Sequence, residues 1–257
     1  DPQMRQPNHD SHIVDARRDG LRRELGRLML AMVTSIGILC SVVSAASAND
    51  ALVLDGATDG TGDYVLVPDN ALVDLNVFTL EGWVKWDGVN SLAPVISRPR
   101  LDEPSNVETG YILKISSGFA RLGIIGSTVN TGITGATAVS PGVWTHLAGT
   151  FDGQVLNLYV DGQLDATDDL GTLETFLDST ADLLIGREFV GDLVTRTFDG
   201  ELDDVRLWSV ARTEADIQAT KGIPLTGAET GLVGYWNFDG GSASDLSANV
   251  LGGTLTD

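Results

Sequence analysis

An all-β, antiparallel β-sandwich is the fold class that this 257-residue sequence predicts, and three observations predict it. Short runs of alternating apolar and polar residues recur along the chain, Asp-Gly and Ser-Gly turn signals separate them, and a single helical pattern interrupts them. In "FTLEGWVKW" the residues Phe78, Leu80, Gly82, Val84 and Trp86 alternate with Thr79, Glu81, Trp83 and Lys85, the period of two that suits a half-buried strand. Further strands are expected at "ALVLDG", "DYVLVPD", "YILKIS", "FARLGII", "WTHLAGTF", "QVLNLYV", "DLLIGREF" and "ELDDVRLW", roughly a dozen in all. Asp152-Gly153 and Asp161-Gly162 flank "QVLNLYV", and their default role is to turn the chain, because Asp-Gly accepts the positive φ of a tight hairpin. The one helix is expected in "RTEADIQATKG", residues 212–222. There Thr213 and Asp216 form a capping box, Gly222 stops the helix, and its short length suits a plug for one end of the sandwich.

The first fifty residues have a different texture. A basic stretch at 17–27 precedes the uncharged run "LMLAMVTSIGILCSVV" at 28–43, followed by Ala46-Ser47-Ala48. This is the layout of a secretory signal peptide, a hydrophobic signal helix that ends at a small-residue cleavage site, so residues 1–48 are expected to be a leader and 49–257 one sandwich domain. Sixteen apolar residues fall short of the ~20 that span a bilayer. The competing reading is an uncleaved anchor, the one route by which a membrane enters. Cys40 lies in the leader, so the domain is expected to be free of thiols and disulfides and to be secreted or held at the cell surface.

From residue 49 onward the chain carries 31 acids against 10 bases, a net charge of -21. Such a surface repels phosphate backbones, so nucleic acid is not an expected partner. No glycine cluster pairs with the Lys-Ser/Thr of a phosphate loop. His146 is the only histidine after the leader, which fits a structural residue rather than a metal or catalytic set.

The segments "LVLDGATDGTGDYVLVPD", "FTLEGWVKW", "PGVWTHLAGTFDGQVLNLYVDGQL", "FDGELDDVRLWSVARTEADI" and "GLVGYWNFDGG", the last followed by "DLSAN", resemble in order the laminin-G-like branch of the concanavalin A-like lectin/glucanase jelly rolls. The resemblance runs from about residue 51 to the end and implies a jelly-roll sandwich. Many such domains bind calcium with an acid in a rim loop, but the matching segment here, "KISSGFARLG", has none. Another calcium site is expected instead, because calcium takes six to eight oxygens from flexible loops. Asp239, Asp245 and Asn249 lie in one Gly/Ser-rich segment, and the resemblance places Asp55, Asp203 and Asp204 on strands near the two chain ends. Related hydrolases carry Glu-x-Asp followed by a second Glu on one strand, so that two carboxylates flank the scissile bond. Here Glu201 and Asp203 are followed by Val205 and Arg206, and the catalytic pair is incomplete.

The resulting expectation is a non-catalytic binding or adhesion module that recognises carbohydrate or an extracellular glycoprotein and holds a structural calcium. The alternative is a self-assembling subunit of a surface layer or filament. A glycoside hydrolase ranks third.

Overall fold

The computed structural model describes residues 51–57, 62–100, 108–125, 130–176, 180–190 and 194–256, and the leader expected over residues 1–48 lies outside them. Within them the chain forms two seven-stranded antiparallel sheets. In spatial order the first consists of β1 (Leu52–Asp55), β14 (Asp199–Trp208), β3 (Phe78–Trp86), β8 (Thr145–Phe151), β9 (Val155–Val160) and β10 (Gln163–Asp169). Its seventh strand, β15 (Leu232–Trp236), shares one edge of β14 with β1: β1 pairs with 199–202 and β15 with 205–208. The second sheet runs β16 (Thr254–Thr256), β2 (Tyr64–Val67), β11 (Leu183–Ile185), β4 (Leu92–Arg100), β5 (Glu108–Ser116), β6 (Phe119–Ile125) and β7 (Asn130–Ala138). A separate hairpin, β12 (Arg187–Val190) with β13 (Val194–Thr197), completes the strands.

The alternation read in the sequence sets which side chains meet. Phe78, Leu80 and Val84 of β3, Leu147 and Phe151 of β8, and Leu156 and Leu158 of β9 face Val65, Leu113, Leu122 and Ile185 of the second sheet in one core. The inner layers approach so closely at Gly149 that a Cβ there would lie 2.7 Å from Leu122 Cδ1. Phe78, Tyr111, Phe151 and Phe176 form an aromatic cluster with centroid separations of 4.9 to 6.4 Å. Thr137 on β7 donates through both its amide and its hydroxyl to Asp165 on β10, which ties an edge of one sheet to an edge of the other.

The turns follow the Asp-Gly chemistry. Asp161 and Gly162 both take positive φ, 51° and 79°, in the two-residue β9–β10 hairpin. The Asp152 carboxylate accepts from the amides of Gln154 and Val155 and shapes the β8–β9 turn. The run "DLLIGREF" is two strands rather than one, because Gly186 (φ 82°) turns the chain out of the second sheet between β11 and β12. A Cβ at Gly186 would lie 2.3 Å from Leu54 Cδ1.

One extra residue in β14 decides what the first sheet's outer face carries. The register against β3 slips between Asp203 and Arg206, where Asp204 adopts a left-handed φ of 49° opposite Gly82. A bulge of this kind restores alternation after a skipped position, so Glu201, Asp203, Arg206 and Trp208 all face outward while Leu202, Val205 and Leu207 join the core.

The single helix α1 (Glu214–Thr220) has the expected capping box, with Thr213 and Asp216 exchanging hydrogen bonds. It does not plug an end of the sandwich. It lies on the outer face of the first sheet, where Ile217 packs against Ala148 and Tyr159. The reason is polar: Glu81 is wholly buried on that face, and its Oε1 accepts from Arg212 Nη1 at 2.9 Å and Trp208 Nε1 at 2.9 Å, with Arg206 Nη1 at 3.7 Å. Arg206 in turn donates to the carbonyls of Thr220 and Ile223, and Arg212 to the carbonyl of Asp216 and the hydroxyl of Thr220. Trp83 Nε1 donates to the Lys221 carbonyl, and Thr79 accepts from the amide of Arg212. One strap, 209–223, is thereby fastened over the sheet by a charged cluster.

Removing one partner of such a buried cluster strands the others away from water, which costs about 3–5 kcal/mol. Glu81→Ala is expected to destabilise the domain by that amount in urea unfolding, because the buried Arg212 guanidinium loses its counter-charge and Arg206 keeps only Asp204. A loss under about 1 kcal/mol would show that the strap is held by Ile217 and the backbone contacts instead.

Candidate functional site

The two sheets present different outer faces. The strap covers the middle of the first sheet's outer face, and His146 on β8 lies beneath it, 1% exposed, with its ring 5.4 Å from Trp83 and Nε2 3.8 Å from Glu81 Oε2. Burial, reinforced by Arg206, Lys221 and Arg212, holds the imidazole well below its usual range, so it is neutral. Trp86 and Tyr111 are also buried, donating to the carbonyls of Asn90 and Val73, and neither offers a ring for stacking.

The outer face of the second sheet is only partly covered. Pairing register places Lys114, Arg121 and Thr134 in one row across β5, β6 and β7, and Ile112, Gly123 and Gly132 in the next. Gly132 is required by close approach, since a Cβ there would lie 2.4 Å from the Leu122 carbonyl oxygen and 2.9 Å from Gly123 Cα. The two glycines make a flat floor, and Arg121 lies across it with Nη1 donating to Thr134 Oγ1 at 3.0 Å. The β12–β13 hairpin forms a wall over β4 and β5. There Ser97 Oγ donates to the Arg187 carbonyl, the Arg187 guanidinium stacks 4.4 Å over the Tyr64 ring, and Glu188 takes both Lys114 and Arg196 as partners. Arg121 and Gly132 are half-buried and Thr134 exposed, whereas Ile112, Lys114 and Gly123 are buried, so this face is open at its β7 side.

The six residues expected to bind calcium are engaged elsewhere. Asp245 accepts from the amides of Tyr235, Ser247 and Leu251 and from the Ser247 hydroxyl, and Asn249 Nδ2 donates to the carbonyls of Leu232 and Val233. The "DLSAN" loop is therefore a clasp on β15. Asp55 accepts from the amides of Ala57 and Asp63, and Asp239 accepts from the Asn237 side chain. Asp204 accepts from the Tyr235 hydroxyl at 2.6 Å and sits 3.3 Å from Arg206. Asp203 receives the Asp204 amide and is close enough to Asp204 and Asp239 to feel both charges. Among the described residues no three His, Cys, Asp or Glu side chains converge as a metal cage, and the six do not form one site.

Two features escaped the sequence. Asp199 at the start of β14, held above the usual carboxylate range by burial and by Asp87 and then Asp55, is grouped with those two acids, from just after β3 and from the end of β1. They are separated in sequence, and only the strand pairing brings them together. The basic row Lys114–Arg121 was also missed, although an alternating "K-I-S" and "A-R-L" around the Ser117-Gly118 turn is enough to pair those two positions across a two-residue hairpin. Glu201, the residue that begins the hydrolase-like pattern, is salt-bridged to Lys85 at 2.6 Å on the strap side of the sandwich.

A laminin-G family model described as the concanavalin A-like lectin/glucanases superfamily matches residues 59–218. Among curated proteins, human pappalysin-1 is 26% identical over 193 residues, a stretch that is 67% of this chain and 11% of that protein, so the chain spans about a tenth of this relative. Among solved structures, a protein of Bacteroides ovatus ATCC 8483, provisionally named a carbohydrate binding protein, aligns with TM-score 0.61 and 22% identity over 80% of this chain and 59% of its own. The CBM40 of Ruminococcus gnavus IT-sialidase, bound to α2,3-sialyllactose, aligns with TM-score 0.55 and 18% identity over 67% of this chain and 98% of its own. At these identities the structural likeness shows the fold.

Asp203 provides a test of the bulge's surroundings. Burial first, then Asp204, raises its carboxyl from about 3.8 to about 7. In the unfolded chain it ionises near 3.8, so between about pH 4 and pH 7 only the unfolded state gains the favourable charge and stability falls as pH rises. Asp203→Asn is expected to flatten that fall and to be more stable than the parent at pH 8, as read by urea midpoints across pH 4 to 8. Parallel profiles for the two proteins would show that Asp203 is solvated or paired in the fold.

Proposed function

The chain belongs to the laminin-G-like branch of the concanavalin A-like lectin/glucanase superfamily, and from that premise we propose that it is a non-catalytic carbohydrate-binding module. The observation that supports this reading is the asymmetry of the two outer faces: the strap covers the middle of one, and the other offers a glycine floor beside polar side chains. Sugar hydroxyls pair with such donors and acceptors, so a ligand on this face meets Arg121 and Thr134 beside Gly132, while Ile112, Lys114 and Gly123 are buried beneath it. The absence of a second acid after Glu201 and Asp203, together with the Lys85 salt bridge, favours binding over hydrolysis.

Export by the N-terminal segment and a bound calcium belong to the same proposal and are separable from it. A melting temperature raised by millimolar calcium and reversed by chelator supports the metal, since a ligand of the folded state stabilises it; an unchanged value removes it.

The binding proposal is tested on a glycan array, followed by NMR titration with any sugar that binds. Amide shifts are expected at Arg121, Gly123, Gly132 and Thr134 with α1 unmoved, and no reducing ends are released on long incubation. An array without a single hit, or shifts confined to the strap, overturns it.

A further inference from the structure

We infer that the open face of the second sheet selects acidic glycans, those bearing a carboxylate or a sulfate, over neutral ones. This inference rests on the carbohydrate-binding reading of the same face. Its basis is an imbalance of charge. Four described bases elsewhere meet acids: Lys85 faces Glu201, Arg98 faces Asp69 and Asp74, and Arg206 and Arg212 face Glu81, while Lys221 lies over the Trp83 ring. On the open face, Lys114 and Arg196 share one carboxylate, that of Glu188, with Nζ of Lys114 at 3.0 Å and Nη1 of Arg196 at 3.2 Å, and Arg121 stands opposite Lys114 in the same row without reaching that carboxylate.

Arg121 has no acid partner among the described residues; its guanidinium meets only the Thr134 hydroxyl. Lys114 also feels it: burial first lowers the Lys114 amine, Glu188 offsets this, and Arg196 and Arg121 push it down further. Among the described side chains of this face, these three cations stand beside one anion, inside a domain whose net charge is -21. Solubility does not account for that placement, because bases spread over such an acidic surface would neutralise more repulsion than bases gathered together.

The geometry suits an anion. The guanidinium of Arg121 lies over Gly132, Nη2 3.2 Å from where a Cβ would sit, with N–H groups unspent, and a planar fork of donors matches a carboxylate or sulfate better than a single hydroxyl.

The test compares ligands that differ only in charge. Oligogalacturonate and its methyl ester form one pair, chondroitin sulfate and unsulfated chondroitin the other, and both are titrated calorimetrically into the full chain at low and high salt. At least one acidic member is expected to bind tenfold or more tightly than its less charged counterpart, with the ratio shrinking as salt rises. The arm that shows the preference distinguishes carboxylate from sulfate. Arg121→Gln is expected to remove most of the preference. Arg121 and Arg196 are both partly exposed, so Arg196→Gln serves as a second variant that does not rely on the same contacts. Equal affinity within both pairs overturns the inference and leaves the carbohydrate reading standing, as does an acidic preference untouched by either variant. Failure of every glycan on the array to bind overturns both.

Discussion

A buried carboxylate governs this fold. Glu81 sits in the middle of β3 with no exposure to solvent, and an ionised carboxylate in that position is tolerated only if cations and donors surround it. Arg212, Arg206 and Trp208 supply them, and each is positioned by something the chain must do locally. The β14 bulge turns Arg206 and Trp208 to the same side as Glu81, and the strap after β14 brings Arg212 back over the sheet. The cluster thus decides where 209–223 lies. A seven-residue helix has little stability of its own, since nucleation costs more than so few hydrogen bonds return, and α1 persists because its flanks are fastened from below.

The position of the strap has consequences for the rest of the molecule. Both sheets have one face in the core, so any broad recognition surface must be an outer face or a rim. Covering the middle of one outer face with a strap held by a buried ion cluster leaves the other as the remaining broad face. On that second sheet the hairpin β12–β13 departs at Gly186 and stands over β4 and β5 instead of extending the sheet, which creates a wall beside an open floor. A single glycine corner therefore converts a flat sheet into a surface with depth.

How much of this was legible depended on whether the relevant residues were neighbours in sequence. The strands with clean alternation, such as β3 and β9, and the turns at Asp152 and Asp161 followed from local chemistry alone. Among the strands missed, β4 contains Pro94 and Pro99, and β7, "NTGITGATA", has too few apolar residues to show a period. The helix was found but misplaced, because nothing in 212–222 tells that Arg212 answers a glutamate more than 130 residues earlier. The acids of "DLSAN" looked like cation ligands because calcium loops and backbone-clasping loops draw on the same residues. Only the donors around Asp245, all of them amides and a hydroxyl of its own loop and strand, separate the two.

Charge on this domain works at two ranges. At physiological salt the field of a charge decays over about 8 Å, so the net charge of -21 discourages acidic polymers at a distance without reaching into the floor beside Arg121. Within that distance the three cations of the open face outweigh the single carboxylate of Glu188. An acidic sugar would then associate without electrostatic steering and be retained by close contact. Discrimination between acidic and neutral ligands would reside in the dissociation step, where desolvated Arg contacts have their largest effect. The acidic remainder of the surface sharpens that discrimination, because an anion displaced by one sugar length meets repulsion rather than a second basic foothold.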